Sequence, residues 1–313
     1  MKKYAMALIM GLILVFAASC GGNGDDNGND GDTNDVPLMW HVTSPDGNTM
    51  YLFGSIHAAS PEIYPLPAFI MDAFGRADYL AVEADLVAFL NDFQAIMAMQ
   101  ALMTYDDGRS LVDDIGQELF DELHAVLDEF NAPPHIMAAM PLFRPWTWVS
   151  TLLGLAMERT TMTDEDGIDM YFINLAMERG MEILEVESAM MQLEMMANFS
   201  MPLQIHMLRD YLYHIEYAAE SLYFLLEAWR IGDYYAMLEG WNEEAGRMPY
   251  ELRREYTQAM LIDRDLHMAY MARQYMRDGK KVFFMMGALH FVGDDSVVYV
   301  LRNAGYTVEL VRG

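Results

Sequence analysis

The chain has 313 residues, is 53% hydrophobic, and carries 47 acidic against 19 basic side chains, a formal charge of −28. Charge of that sign and size argues against nucleic acid, and against adhesion to an anionic membrane surface, as a partner. A single cysteine rules out an intramolecular disulfide and a cysteine-rich metal centre, while length and apolar content suffice for one large core or two.

Lys2 and Lys3 precede the apolar run Ala5–Ala18, which is too short and wrongly flanked for a durable membrane span. The run ends in Ala17-Ala18-Ser19-Cys20, small residues ahead of the sole cysteine, and resembles a bacterial lipoprotein signal. That resemblance implies removal of residues 1–19 and lipid on Cys20, which would anchor the protein on the extracytoplasmic side of the cell membrane or outer membrane. Leader removal would take Lys2 and Lys3 from the 19 basic residues and no acid from the 47, deepening the charge from −28 to −30. Residues 21–35 are a Gly/Asn/Asp run without an aliphatic side chain, so they cannot bury apolar surface and read as a flexible acidic tether. The expected organisation is leader 1–19, lipidated cysteine and tether 20–36, and one domain over 37–313.

Within that domain, apolar runs predict strands at 39–44, 50–56 and 79–84. Helical periodicity follows near 86–104, 111–130, 146–158 and 167–180. A strand is predicted at 182–187, then helices near 188–198, 204–231 and 249–278, and strands at 282–287 and 306–311. Strands gathered at both ends with one in the middle predict an α/β (α+β) fold, a central mixed sheet carrying a large helical insert. The acids of 116–129 read as a solvated helix face. Met190-Met191 and Met195-Met196, among 30 methionines, read as adaptable core filler rather than soft copper(I) ligands. Phe143, Trp146 and Trp148 around Pro145 read as core packing at a helix start.

Two segments read alike: Tyr-Leu-Phe-Gly-Ser-Ile-His at 51–57 and Phe-Phe-Met-Met-Gly-Ala-Leu-His at 283–290. In each, a glycine breaks a strand-like run three residues before a histidine, which places His57 and His290 at strand ends, where open α/β sheets gather ligands. Glu83 closes the strand-like 79–82 and Glu187 closes 183–186. The chain contains no His-Glu-x-x-His, Gly-x-Ser-x-Gly or P-loop pattern, and its one cysteine belongs to the anchor. Two imidazoles with one or two carboxylates form a donor set suited to Mn²⁺, Co²⁺, Zn²⁺ or Fe²⁺. Taken singly, either histidine is more often a hydrogen-bonded structural residue.

The paired Gly-x-x-His motifs resemble the hallmark of the TraB/GumN family, which is related to the TIKI proteins. The resemblance extends through Tyr64-Pro65-Leu66-Pro67, Val82-Glu83-Ala84-Asp85, Arg144-Pro145-Trp146, Gly167-Ile168-Asp169, Leu184 to Glu187, Gln192, Asp263-Arg264-Asp265, Met268-Ala269 and Gly305 to Val308. TIKI members are described as divalent-metal-dependent proteases acting on extracellular protein N-termini. The resemblance therefore implies His57 and His290 as metal ligands, Glu187 as the central acid, and Glu83 and Arg264 as further site members. Asp265 stands where the family usually has Asn, which adds a carboxylate near the expected metal.

These readings together predict metal-assisted hydrolysis of a peptide or other amide, with Mn²⁺ or Co²⁺ as the first expectation. His57 and His290 hold the ion with help from Glu83 or Glu187, Glu187 moves the proton, and Arg264 stabilises the oxyanion. Arg264 reads equally well as a buried ion pair with one of the carboxylates. The competing expectation is a lipoprotein that binds a metal, peptide or haem-like ligand at the same site without turnover.

Overall fold

The computed structural model describes residues 36–311; the leader, Cys20 and most of the expected tether lie outside them. The strands are β1 (Met39–Thr43), β2 (Thr49–Ser55), β3 (Tyr79–Val82), β4 (Glu182–Glu185), β5 (Val282–Gly287) and β6 (Thr307–Val311). Ahead of β4 come helices α1 (Ala68–Gly75), α2 (Leu86–Asn91), α3 (Phe93–Met103), α4 (Leu111–Glu129), α5 (Pro134–Ala139), α6 (Pro145–Met157) and α7 (Ile168–Arg179). Behind it come α8 (Ala189–Ala197), α9 (Met201–His214), α10 (Ala218–Arg230), α11 (Tyr234–Arg247), α12 (Tyr250–Thr257), α13 (Asp263–Arg277) and α14 (Val297–Asn303).

The six strands form one mixed sheet in the order β4-β3-β5-β2-β1-β6. The hairpin partner β1 runs antiparallel to β2 and to β6, whereas β4, β3, β5 and β2 are mutually parallel. Strand β5 lies centrally and buries five of its six residues, which explains its unbroken Val-Phe-Phe-Met-Met run. Phe53 of β2, Phe283 of β5, Phe74 of α1 and Phe172 of α7 pack with ring centroids 4.9–5.8 Å apart, fixing the helices against one sheet face. Because four neighbouring strands are parallel, their carboxyl ends open on one edge. His57, Glu83, Glu187 and His290 each lie just beyond such an end. The α/β class, the mixed sheet and the helical insert are as the sequence predicts.

The long predicted helices are interrupted, and each break has a local cause. The stretch 86–104 divides at Asp92, whose carboxylate accepts from the Gln94 and Ala95 N–H groups and so caps a new helix. Helix α4 kinks at Gly116, which has φ +78°. The stretch 204–231 divides at a 3₁₀ turn over Ile215–Tyr217, and 249–278 passes through a π-helical turn over Gln258–Ile262. That π turn sits directly before Arg264 and Asp265, and both are buried although adjacent on the helix. Helices α1, α5, α11 and α14 stand where the periodicity predicts none. Helix α11 is capped by Asp233, whose side chain accepts from the Ala236 N–H, immediately after Gly232 at φ +76°.

Helix α11 links the site to the core of the insert. Its first half carries Tyr234 and Met237; its second half carries Trp241 and Glu244, all buried. Trp241 stacks on Tyr256 at 4.7 Å. Burial pushes the Glu244 carboxyl up to about 8, with Arg247 pulling down and Asp210 pushing up. The folded protein thus keeps a proton that the unfolded chain releases near the ordinary carboxylate value of 4.5. Stability should therefore fall as pH rises from about 4.5 to about 8, by at most about 1.4 kcal/mol per pH unit, and level off above that. Glu244→Gln removes the ionisation and should flatten this window and raise stability at pH 8; urea unfolding at pH 5 and pH 8 checks it, and equal slopes in both proteins would contradict it.

Candidate functional site

The β3–β4 pairing continues one step past the strands, with Val186 N–H donating to Val82 O and Glu187 N–H to Glu83 O, both at 2.9 Å. This sets two buried carboxylates side by side, an arrangement that demands a cation. Arg264 from α13 supplies it. Its Nη2 donates to Glu83 Oε2 at 2.5 Å and to Glu187 Oε2 at 2.9 Å, and its Nε lies 3.0 and 3.1 Å from the two Glu187 oxygens. Gln192 Nε2 donates to both acids, at 3.0 and 2.9 Å. Glu83 Oε1 also accepts the Gly287 N–H at 2.6 Å. Burial alone would raise Glu83, but Arg264, the two histidines and the Gly287 N–H outweigh it and hold its carboxyl at about 2. Burial likewise opposes the charge on Arg264, yet its two acidic partners keep it firmly protonated.

Each histidine is backed by an aspartate. His57 Nδ1 lies 2.7 Å from Asp169 Oδ2, and Ser55 Oγ donates to Asp169 Oδ1 at 2.8 Å. His290 Nδ1 lies 2.6 Å from Asp265 Oδ1. Asp169 reaches His57 because Gly167 lets the start of α7 abut the loop after β2: a side chain there would place its Cβ 2.1 Å from the His57 carbonyl oxygen. The Ile168 N–H then donates to Ile56 O at 2.9 Å. Burial pulls His57 down, but Asp169, helped by Glu83, leaves it raised overall. Burial raises Asp265, against the pull of His290.

With both Nδ1 atoms turned to aspartates, the Nε2 sides face a cavity lined by Ser55, Glu83, Arg264 and Gly287 on its polar side. Among the described residues no three His, Cys, Asp or Glu side chains are already drawn together around a metal position. The donors nonetheless suit one. A carbon placed on Gly287 would lie 3.1 Å from Glu83 Oε1, 3.6 Å from His290 Cδ2 and 3.8 Å from His57 Nε2, so the glycine leaves room between these three groups. His290 Nε2 and Glu83 Oε1 are 3.8 Å apart, within the roughly 4.2 Å that two metal bonds of about 2.1 Å can span. Carboxylates on the distal nitrogen are also what metal-bound histidines usually have.

Of the residues singled out from sequence, His57, His290, Glu83 and Arg264 line this cavity, and Glu187 does not. Glu187 lies on the far side of Arg264, lining a separate cavity with Gln192 and His267. Arg264 is the buried ion pair that its alternative reading allows, with both acids rather than one. Cys20 lies outside the described residues. Sequence reasoning quoted Asp169 only as part of a motif and overlooked Leu225, Trp229, Tyr234 and Met237. Trp229 Nε1 and Tyr234 Oη donate to Gly54 O at 2.8 and 3.3 Å. The Tyr234 ring occupies the space where a Gly54 side chain would stand, 2.6 Å from its Cβ.

Arg264→Ala leaves two buried carboxylates unpaired and should cost about 3–5 kcal/mol in urea unfolding at pH 7. The double variant Arg264→Ala/Glu187→Gln should recover part of that loss. A loss below about 1 kcal/mol for the single variant would show that water reaches the pair freely.

No solved structure matches the chain. Curated relatives include the uncharacterized protein YbaP of Escherichia coli (strain K12) and its counterpart in Shigella flexneri. Each is 26% identical over 155 residues, covering 50% of this chain and 54% of the relative, so the chain spans about half the length of the curated relatives it matches. The family model for TraB/PrgY/gumN matches residues 38–310, from the first strand to the last and across every residue of the site. The chain belongs to the TraB/PrgY/gumN family.

Proposed function

We propose that this protein is a divalent-metal-dependent hydrolase of peptide or related amide bonds, held on the extracytoplasmic side of a membrane by lipid on Cys20. The observation that carries the reading is the convergence of His57, His290 and Glu83 around the bare face of Gly287, each histidine backed by an aspartate. A divalent ion, Mn²⁺ or Co²⁺ first and Zn²⁺ or Fe²⁺ next, would supply an acidified water and polarise the substrate carbonyl. His57, His290 and Glu83 are the residues to hold it. Asp169 and Asp265 keep the Nδ1 atoms engaged, so that Nε2 of each ring is free to donate. Glu83 is the cavity's own carboxylate, so it is also the nearest acceptor for a proton leaving the attacking water. Arg264, at the cavity wall, would stabilise the developing oxyanion. Glu187 and Gln192 hold the guanidinium in position, and the proton-moving role expected of Glu187 passes to Glu83. Among the described residues no helix is long and apolar enough to cross a membrane, so the anchor in this reading is the lipid.

One observation favours the second reading, a lipoprotein that binds a metal, peptide or small ligand without turnover. Arg264 holds the cavity's carboxylate at about 2, and a carboxylate so acidic is a feeble proton acceptor near neutrality. Metal analysis comes first: the purified protein should hold roughly one ion per chain, and the His57→Ala/His290→Ala variant none, with its fold retained by circular dichroism. Turnover of a peptide library with the bound metal, lost in that variant, supports the hydrolase. Metal bound without turnover supports the binding protein. No metal after reloading with each of the four ions overturns the hydrolase and leaves the protein that binds a peptide or small ligand.

A further inference from the structure

On the far side of Arg264 from the two histidines lies a second cavity of about 340 Å³, within the range of small-molecule pockets. The space between the Gly-x-x-His loops is about 40 Å³, room for an ion and its water rather than for a side chain. Buried Glu187, Gln192 and Arg264 form the base of the larger cavity, and exposed Asp263 and Met191 stand at its mouth. Half-buried Met195, Ala259 and His267 complete the lining.

The hydrogen-bond inventory of this cavity is one-sided. Arg264 turns Nε and Nη2 to the two acids and Nη1 to Met260 O. Gln192 Nε2 donates to both acids, which fixes the orientation of the amide and leaves Oε1 buried without a partner. His267 Nε2 lies 2.8 Å from Val186 O. A carbonyl can only accept, so that nitrogen carries the proton and Nδ1 of the neutral ring is an acceptor. Asp263 Oδ1 accepts from Gln258 Nε2, and among the described residues no Lys, Arg or His pairs with Asp263. The donors are engaged, while Gln192, His267 and Asp263 each keep a spare acceptor.

Charge points the same way. Arg264 is matched by Glu187, and the carboxylate of Asp263 is left over. A divalent ion held by His57, His290 and Glu83 does not reverse the sign, because Glu83 and the Asp169 behind His57 match its two charges. The chain as a whole, at −28, also draws in cations. What fits is a group that brings N–H donors and positive charge, on a stem able to lie against two thioethers.

We propose that this cavity binds a primary ammonium or guanidinium carried on an aliphatic stem, as on a lysine or arginine side chain. The cation meets Asp263 and the spare acceptors of Gln192 and His267, and the stem packs on Met191, Met195 and Ala259. A peptide side chain and a small free amine offer the same chemistry. The pocket depends on neither a bound metal nor turnover.

The test uses three probes: N-acetyl-lysine methylamide, the matching norleucine compound, which lacks the ammonium, and n-butylamine. Binding to the full chain is measured by calorimetry, with thermal unfolding to verify that each variant is folded. The lysine probe should bind at about one per chain, at least about tenfold more tightly than the norleucine probe, and should weaken as salt rises. Asp263→Asn should weaken it about threefold. Met191→Trp/Met195→Trp, which crowds the mouth and wall, should abolish it. Tighter binding of the lysine probe than of n-butylamine assigns the pocket to a peptide side chain; equal or tighter binding of n-butylamine assigns it to a small amine. No binding of either amine, equal affinity for the lysine and norleucine probes, many weak sites per chain, or binding unchanged in the variants would overturn the pocket.

Discussion

The arrangement of this site depends on one guanidinium. Parallel pairing of β3 and β4 delivers Glu83 and Glu187 side by side in a buried position, and two such acids cannot both stay ionised without a cation between them. Arg264 meets that demand from a helix that arrives 77 residues after Glu187, so the helical insert must fold back onto the strand ends for the sheet edge to be stable. The same ion pair keeps Glu83 ionised and aims its free side at Gly287 and the two imidazoles. Asp265, the next residue, turns to His290. One turn of α13, preceded by a π-helical turn, thus anchors the carboxylates and orients one histidine.

A division of labour follows from this geometry. The sheet supplies the reactive groups from its carboxyl ends, a location shared by many open α/β proteins. Helices α7 and α13 supply the aspartates behind the two rings. Helices α10 and α11 place Leu225 and Met237 against the cavity, and through Trp229 and Tyr234 they also grip the Gly54 carbonyl. Glycine is required where these layers meet: at Gly54 against Tyr234, at Gly167 against the His57 carbonyl, and at Gly287 beneath the polar groups. Two of these three are the glycines of the Gly-x-x-His motifs, so the motif records close packing as well as chemistry.

Much of this was legible in the sequence, and the gaps have physical causes. Six apolar runs marked all six strands: β2, β3 and β5 because buried strands need hydrophobic stretches, and the mostly exposed edge strands β4 and β6 through short runs such as Ile183-Leu184. His57, His290, Glu83 and Glu187 could be placed at strand ends for the same reason. Which carboxylate faces the cavity could not be read, because it depends on the side from which Arg264 approaches across the sheet edge. Helix boundaries were blurred where breaks come from a capping aspartate or a π turn rather than from proline. Helix α11 falls in a stretch to which no helix was assigned, and Gly232-Asp233 both closes α10 and caps α11. Asp169 carried a signal, being the second residue of the helix that follows Gly167, but only the folded chain shows which ring it supports.

The central claim is that His57, His290 and Glu83 form one donor set. The most direct measurement is a crystal structure of the protein soaked in Mn²⁺, with anomalous difference maps. The account predicts a single strong peak bonded to Nε2 of both histidines and to Oε1 of Glu83, with Arg264 still paired to Glu187. A peak elsewhere, or no anomalous density between the two imidazoles at saturating metal, would contradict it.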